Sequence, residues 1–158
     1  MFDAPFKSAP LSIKPEWIDY NGHLNMAYYN VLMDNSSDQI FEALGLGETY
    51  RETTGFSTFS AEYHMHYHRE LHLGDTVYST FHLLDFDEKR FHFFQELYHV
   101  DGWLSASGEG MGLHIDLSGP KVAPMPEHLF ENMRKMHEAH QILEKPALAG
   151  RPMGIRRK

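Results

Sequence analysis

The pattern of apolar and polar positions predicts one long helix followed by several strands. Between residues 26 and 44, apolar or small residues recur every three or four positions, and Gly45 follows, as in a helix that ends at a glycine. From Thr58 onward the period changes to two, which is typical of half-buried strands. The predicted strands cover residues 59–73, 76–84, 90–100 and 103–116.

Two further elements flank this central part. Residues 6–13 predict a first strand that ends before Pro15, and Pro126 precedes a C-terminal pattern of helical spacing. Because the strands follow one another with short turns, we expect antiparallel pairing. The predicted fold class is therefore α+β, with an antiparallel sheet wrapped around one long central helix, plus a C-terminal helix.

The last predicted strand carries small residues on one face. Ala106, Gly108, Gly110 and Gly112 alternate with larger residues, and a strip without side chains lets another element approach a sheet closely. We expect this face to be the seat of the central helix. Such a sheet also has an exposed edge strand, which favours self-association, so we expect a homodimer or a homotetramer.

Length, charge and cysteine content narrow the range of functions. The chain has 158 residues, the size of a single domain. We expect this domain to cover residues 1–145 and residues 146–158 to form a basic, flexible tail. The net charge of −8 argues against a nucleic-acid partner, because such binding needs Lys and Arg at the phosphates. The absence of cysteine excludes a disulfide and a thiolate nucleophile.

The chain also lacks the features of a membrane or exported protein. No run of residues is long and apolar enough for a membrane span or a signal peptide. We therefore expect no membrane partner and a cytoplasmic location.

Residues 19–34, DYNGHLNMAYYNVLMD, are the most informative stretch. Asn21 and Gly22 favour a tight turn, and Asn25 is a favourable N-cap for the helix that follows. The first amides of a helix have no partner inside it and carry the positive end of its dipole. Asp19 is therefore expected beside a ready-made site for an oxyanion.

A row of titratable residues lies on one predicted strand. Alternation places four of them on one face, namely Glu62, His64, His66 and His68. Such a row is a candidate metal site. We favour a polar sheet surface or a subunit interface, because a metal site also needs partners from other elements. We expect neither a metal nor a cofactor.

The segment before the helix matches a known pattern. Asp19, Gly22, His23 and Asn25 fit the segment D-x-x-G-(H/x)-x-N, and the chain resembles the hotdog-fold acyl-CoA thioesterases of the 4-hydroxybenzoyl-CoA thioesterase type. The resemblance implies a single hotdog domain that hydrolyses an acyl-CoA substrate. It makes Asp19 the general base or the nucleophile, and the backbone amide of Met26 the oxyanion donor.

The same resemblance implies roles for the neighbouring residues. His23 would orient the loop, and Asn25 would position the thioester or the water. Of the two tyrosines that follow, one is expected in the core and one at the acyl pocket, and Tyr29 is the candidate for substrate contact.

A narrower resemblance involves the strand region. Glu62-x-His64, followed by YHRE at 67–70, LGD at 73–75 and LLDFDEKRFHFF at 83–94, is similar to the thioesterases of carnitine breakdown, which include betainyl-CoA thioesterases. It implies that Glu62, with His64 beside it, approaches Asp19 of the other subunit. It also implies a small cationic acyl group, which aromatic faces would suit.

Two alternatives stay open. Asp19-x-Asn21-x-His23 is similar to the D-x-N-(P)-x-H segment of hotdog enoyl-CoA hydratases. It is one residue short and lacks the proline, which favours hydrolysis over hydration. The other alternative is a catalytically silent hotdog protein that binds acyl-CoA.

Overall fold

A long helix lies against one face of an antiparallel sheet. The computed structural model describes residues 2–155 and residue 157. Its helices are Met26–Leu44 (α1), Glu48–Thr54 (α2) and Glu127–His140 (α3), with a 3-10 turn at Pro15–Trp17. Its strands are Phe6–Lys7 (β1), Leu11–Ser12 (β2), Phe56–Tyr67 (β3), Thr76–Phe86 (β4), Arg90–His99 (β5), Leu104–Asp116 (β6) and Lys121–Val122 (β7). The predicted α+β class, with its sheet around one central helix, is confirmed.

The order of the strands leaves one long strand at an edge. The sheet runs β1-β4-β5-β6-β3, while β2 also pairs with β4 and β7 with β6. All of these pairs are antiparallel. Among the described residues β3 pairs only with β6, so its other side carries unpaired backbone groups.

In the described part of the chain, no helix is both long and apolar enough to cross a membrane.

Helix α1 has the predicted bounds and a polar link to the sheet. It ends at Gly45, whose φ of +84° favours glycine. The side-chain amide of Gln95, on β5, donates to the carbonyl of Met33 at 3.2 Å and to the hydroxyl of Ser37 at 3.1 Å. The hydroxyl of Tyr63 donates to the Oε1 atom of Gln95 at 3.0 Å. These buried bonds satisfy the polar centre of an otherwise apolar helix face.

The glycine strip on β6 has a different role from the predicted one. Added Cβ atoms would overlap the rings of Tyr63 at Gly108, of Phe93 at Gly110 and of Phe91 at Gly112. The small residues therefore receive aromatic side chains from the neighbouring strands β3 and β5. The prediction that this strip seats the central helix directly was wrong, because the rings lie across the glycines.

Other differences concern the ends of elements. The predicted first strand is two short pieces, β1 and β2, and proline at position 10 separates them. The third strand begins at Phe56 and ends at Tyr67, so residues 68–73 leave the sheet. Helix α2 was not predicted, because its sequence ETYRETT has no apolar stripe.

The chain after α3 crosses the outer face of the sheet, the face opposite α1. Residues 143–147 and Phe94 line a common cavity, and Phe94 is only 2% exposed. The amide of Gly150 donates to both carboxylate oxygens of Glu109, at 2.9 and 2.8 Å. The boundary of the tail at residue 146 stays a prediction, and Arg156 and Lys158 of this tail lie outside the described residues.

We expect Gly110→Ala to lower the free energy of unfolding by about 1–3 kcal/mol, because the methyl group forces the ring of Phe93 from its site. Gly119→Ala is the control, since nothing lies within 4 Å of its Cβ position. Urea denaturation of both variants measures the difference. Equal stabilities would show that the rings do not need the strip.

Candidate active site

The segment of residues 19–25, here called the entry loop, is closed by its own hydrogen bonds. The amide of Asp19 donates to the carbonyl of His23 at 3.1 Å, and the amide of Gly22 donates to the carbonyl of Asp19 at 3.0 Å. Gly22 has a φ of +82°, which favours glycine at this point of the turn. The Oδ1 atom of Asp19 accepts from the amide of Asn21 at 2.8 Å. Asp19 is half-buried and its carboxylate is held by the loop, while Oδ2 accepts no hydrogen bond from the described residues.

The first turn of α1 leaves one amide unused. The side chain of Asn25 accepts from the amide of Ala27 at 3.0 Å, and the carbonyl of Asn25 accepts from the amide of Tyr28 at 3.0 Å. The amide of Met26, which lies between Asn25 and Ala27 in the chain, has no acceptor in the described part of the protein. It lies at the positive end of the helix dipole. This amide is therefore available to an oxyanion.

Two tyrosines form the wall beyond the first turn. The hydroxyl of Tyr29 accepts from the amide of Leu71 at 3.1 Å, and the ring is only 4% exposed. Burial raises the pKa of Tyr29, so the phenol stays neutral. Its ring meets the ring of Tyr67 edge-on at 5.2 Å, and the hydroxyl of Tyr67 donates to the carbonyl of Met26 at 3.4 Å. Tyr29 is thus a fixed wall, whereas Tyr67 is about half exposed.

One cavity brings most of the predicted residues together. This entry cavity has a volume of about 490 Å³. Its lining includes five predicted residues, namely Asp19, His23, Asn25, Met26 and Tyr29. The Nδ1 atom of His23 lies 3.3 Å from the carbonyl of Leu24, which fixes the ring at the cavity wall. The residues that line the cavity thus include one with a carboxylate, one with a free amide and an aromatic wall.

Sequence reasoning missed part of the lining of the entry cavity. Tyr67, His68, Arg69 and Glu70 also line it. Tyr67 is the last residue of β3 and the other three follow it, whereas the prediction had placed all four inside a continuous strand. The charged pair Arg69-Glu70 directly before the buried Leu71 was the one signal that the strand ends here.

The structure places Glu62 and His64 elsewhere within one chain. Their side chains lie 2.9 Å apart, at Oε1 and Nε2, and are 66% and 53% exposed. They line a separate cavity of about 260 Å³ on the outer face of the sheet, together with His92, Glu109 and residues 150–152. The sheet register shifts between Ser60 and Glu62. The predicted roles of Glu62 and His64 stay predictions, since they involve a second subunit.

His66, on β3, and His68, just after its end, lie side by side. The Nε2 atom of His68 lies 2.9 Å from the hydroxyl of Ser107, and the rings of His66 and His68 stack with their centroids 6.4 Å apart. Burial lowers the pKa of His68, and the neighbouring His66 adds to this effect. In the described part of the chain no three His, Asp or Glu side chains are grouped to hold a metal ion.

A third cavity, of about 480 Å³, lies between α1 and β3 and is called here the acidic cavity. Four carboxylates line this cavity, namely Asp34, Asp38, Glu42 and Glu48. Of the described residues that line it, Arg51 is the one with a positive charge. Its aromatic lining consists of Phe41, Phe59, Phe91 and Phe93. Burial raises the pKa of Asp38, and the charges of Asp34, Glu42 and Glu48 raise it further. A cation would relieve this repulsion.

The chain matches known proteins over nearly its whole length. A family model described as the thioesterase-like superfamily matches residues 13–133. The betainyl-CoA thioesterase of Pseudomonas aeruginosa is 35% identical over 90% of this chain and 91% of its own length. The L-carnitine dehydrogenase/betainyl-CoA thioesterase of Rhizobium meliloti is 33% identical over 97% of this chain, which spans only 31% of that larger protein.

The fold is also shared with solved structures. A Staphylococcus aureus protein in complex with CoA superposes with a TM-score of 0.90 at 27% identity, and the match covers 99% of this chain and 98% of that one. The predicted hotdog architecture is thereby confirmed.

Proposed function

Since the chain belongs to the thioesterase-like superfamily, we propose that its entry cavity hydrolyses an acyl-CoA thioester to a free acid and CoA. The family confirms the predicted enzyme class, a thioester hydrolase. The observation that carries the proposal is that Asp19, which has a carboxylate, and Met26, whose amide is unused, line the same cavity. A base or nucleophile and an oxyanion donor are the two groups that thioester hydrolysis requires.

The reaction follows from these two groups. The carboxylate of Asp19 either takes a proton from an attacking water or attacks the thioester carbonyl itself. As the carbonyl oxygen becomes negative, the Met26 amide donates a hydrogen bond to it. Such a donor typically contributes about 3–4 kcal/mol to transition-state stabilisation, and a positioned base contributes roughly 10² to 10⁴ in rate. The carbon–sulfur bond then breaks, and CoA leaves as the thiolate and takes up a proton. If Asp19 is the nucleophile, the acyl group is then held as an anhydride on Asp19, and water hydrolyses this anhydride to release the acid and restore the carboxylate.

The neighbouring residues support these groups. His23 and Asn25 hold the entry loop and the helix start, by their contacts with Leu24 and Ala27. Tyr29 shapes the wall against which the thioester lies. The Tyr29 hydroxyl is engaged with Leu71, so it acts as a surface and does not transfer a proton.

The proposed substrate class rests on proteins that are similar to this chain. The Pseudomonas aeruginosa relative is named for betainyl-CoA, and the Staphylococcus aureus structure contains CoA. Both support an acyl-CoA substrate here, with betainyl-CoA or a related thioester of carnitine breakdown as the finer proposal. The matched family and this relative are named as thioesterases. These names favour hydrolysis over the two alternatives, a silent acyl-CoA-binding protein and a hydratase-like enzyme. The cytoplasmic location stays a prediction from composition.

A second copy of the chain is part of the proposal. The long edge of β3 carries unpaired backbone groups and an exposed Phe59, and a two-fold axis would pair it with the same edge of a second copy. The side chain of Glu62 is 66% exposed on this strand, so a second copy has access to it. We therefore keep Glu62 and His64 of the partner subunit as candidate site residues beside Asp19.

The same two-fold pairing would join two different cavities. Strand β3 runs antiparallel to α1, because Tyr67 contacts the start of the helix while Ser57 and Ser60 share the acidic cavity with Asp38 and Glu42. Antiparallel pairing of two β3 edges would place the first half of one strand beside the second half of the other. The acidic cavity of one copy would then adjoin the entry cavity of its partner. Carboxylates and aromatic faces are suited to the trimethylammonium group of a betainyl thioester.

Asp19→Asn is expected to keep the fold and to lower kcat about 10²-fold or more. The amide keeps the size of the side chain and its hydrogen bond from Asn21 but neither accepts a proton nor attacks a carbonyl. Release of thiol from acyl-CoA measures the rate. Asp85→Asn, at an exposed position on β4, is the control and should retain full activity. Activity of Asp19→Asn within a few-fold of the unmodified protein would move the chemistry to Glu62 or elsewhere.

We expect the active protein to be at least a dimer in light scattering at assay concentration. The reason is the unpaired edge of β3, which a second copy would cover. A well-folded monomer with full activity would contradict both the dimer and the joined cavities.

Charge selectivity tests the acidic cavity. Betainyl-CoA and tert-butylacetyl-CoA have acyl groups of the same shape, but only the first carries a charge. We expect betainyl-CoA to have a kcat/KM at least about tenfold higher, since desolvated cation–aromatic contacts contribute about 2 kcal/mol. Asp38→Asn should reduce this ratio, and Asp85→Asn should leave it unchanged. An equal kcat/KM for the two substrates would contradict the cationic acyl group.

A further inference from the structure

Arg69 is placed at the entry cavity by an aromatic stack. Its guanidinium carbon lies 4.0 Å from the ring centroid of Trp103, the residue before β6. The ring of Trp103 also stacks with His99, at 4.7 Å between centroids and an angle of 10°. Among the described residues Arg69 is the one Lys or Arg that lines this cavity.

The backbone around Arg69 is fixed as well. Its amide donates to the carbonyl of Ser105 at 3.0 Å, and its carbonyl accepts from the hydroxyl of Ser105 at 2.7 Å. The backbone of Arg69 is therefore held by Ser105 of β6, and its guanidinium is held by Trp103. The entropy cost of ordering a long arginine is thus already met before a ligand arrives.

The guanidinium of Arg69 keeps its hydrogen-bonding capacity. Within the described part of the chain it forms no ion pair and donates no side-chain hydrogen bond, although Asp19 and Glu70 line the same cavity. Stacking uses the flat face of a guanidinium and leaves its N–H groups, which lie in the plane, free for a ligand. A planar fork of this kind fits the oxygens of a phosphate.

We propose that Arg69 binds a phosphate of the CoA portion of the substrate, an assignment that rests on the proposed function. A chain with a net charge of −8 repels a polyanionic substrate, so a local cation is needed where the phosphates lie. The pantetheine arm, about as long as four extended residues, separates the phosphates from the thioester by about 14 Å. In this assignment Arg69 is a binding residue that acts on KM and does not touch the reacting atoms.

Thioesters with and without phosphates test this assignment. For Arg69→Gln we expect the KM for acyl-CoA to rise about ten- to a hundredfold, the range for a lost hydrogen-bonded charge contact, with kcat nearly unchanged. The same acyl group on pantetheine lacks phosphates, and its kcat/KM should not change. Arg69→Lys should recover part of the KM effect, because the charge stays while the fork is lost. Arg134→Gln, on α3 beside Glu131 and Glu138, is the control.

The dephospho-CoA thioester distinguishes the phosphates. If Arg69→Gln still raises its KM, the contact is with the pyrophosphate, and if the effect disappears, the contact is with the 3′-phosphate. Equal losses on the CoA and pantetheine thioesters would overturn the proposal, because Arg69 would then only support Trp103. An unchanged KM for acyl-CoA would overturn it as well.

Calorimetric titration with free CoA separates this inference from the proposed function. If the protein hydrolyses neither thioester, the proposed function fails, yet Arg69→Gln should still weaken CoA binding about tenfold or more. Unweakened binding of CoA by Arg69→Gln would contradict the role of Arg69, whether or not the protein is a hydrolase.

Discussion

The start of α1 is fixed to the chain that leaves β3 by two buried hydrogen bonds. The amide of Leu24 donates to the carbonyl of Leu71 at 2.7 Å, and the amide of Leu71 donates to the hydroxyl of Tyr29 at 3.1 Å. Leu24 and Leu71 are almost fully buried, so loss of either bond would leave a buried polar group without a partner. These bonds bring the entry loop, the first turn of α1 and residues 67–70 around one cavity.

That attachment supports the proposed chemistry at the helix start. The entry loop holds Asp19 at the lining of the entry cavity, and the cap by Asn25 leaves the Met26 amide free. A rigid helix behind these groups keeps them in place without cost at the moment of reaction. The acidic cavity lies farther along α1, so in the proposed dimer one helix would carry a site for the thioester and, for the second copy, a site for a cation.

Local features were predictable from the sequence, and distant pairings were not. The turn at Gly22, the cap at Asn25 and the end of α1 at Gly45 depend on neighbouring residues alone. The stack of Arg69 on Trp103 joins residues far apart in the chain, and no periodicity signals it. The sequence shows the glycines of β6 as a strip of small residues. Which side chains cover this strip depends on strand register, which places the rings of Tyr63, Phe91 and Phe93 over the glycines.

The structure of Asp19→Asn with an acyl-CoA thioester bound would show directly where the thioester lies. We predict the thioester carbonyl oxygen at about 3 Å from the amide nitrogen of Met26, with the side chain at position 19 facing the carbonyl carbon or a water beside it. A thioester seated instead in the outer cavity near Glu62 and His64, with the Met26 amide unoccupied, would contradict it.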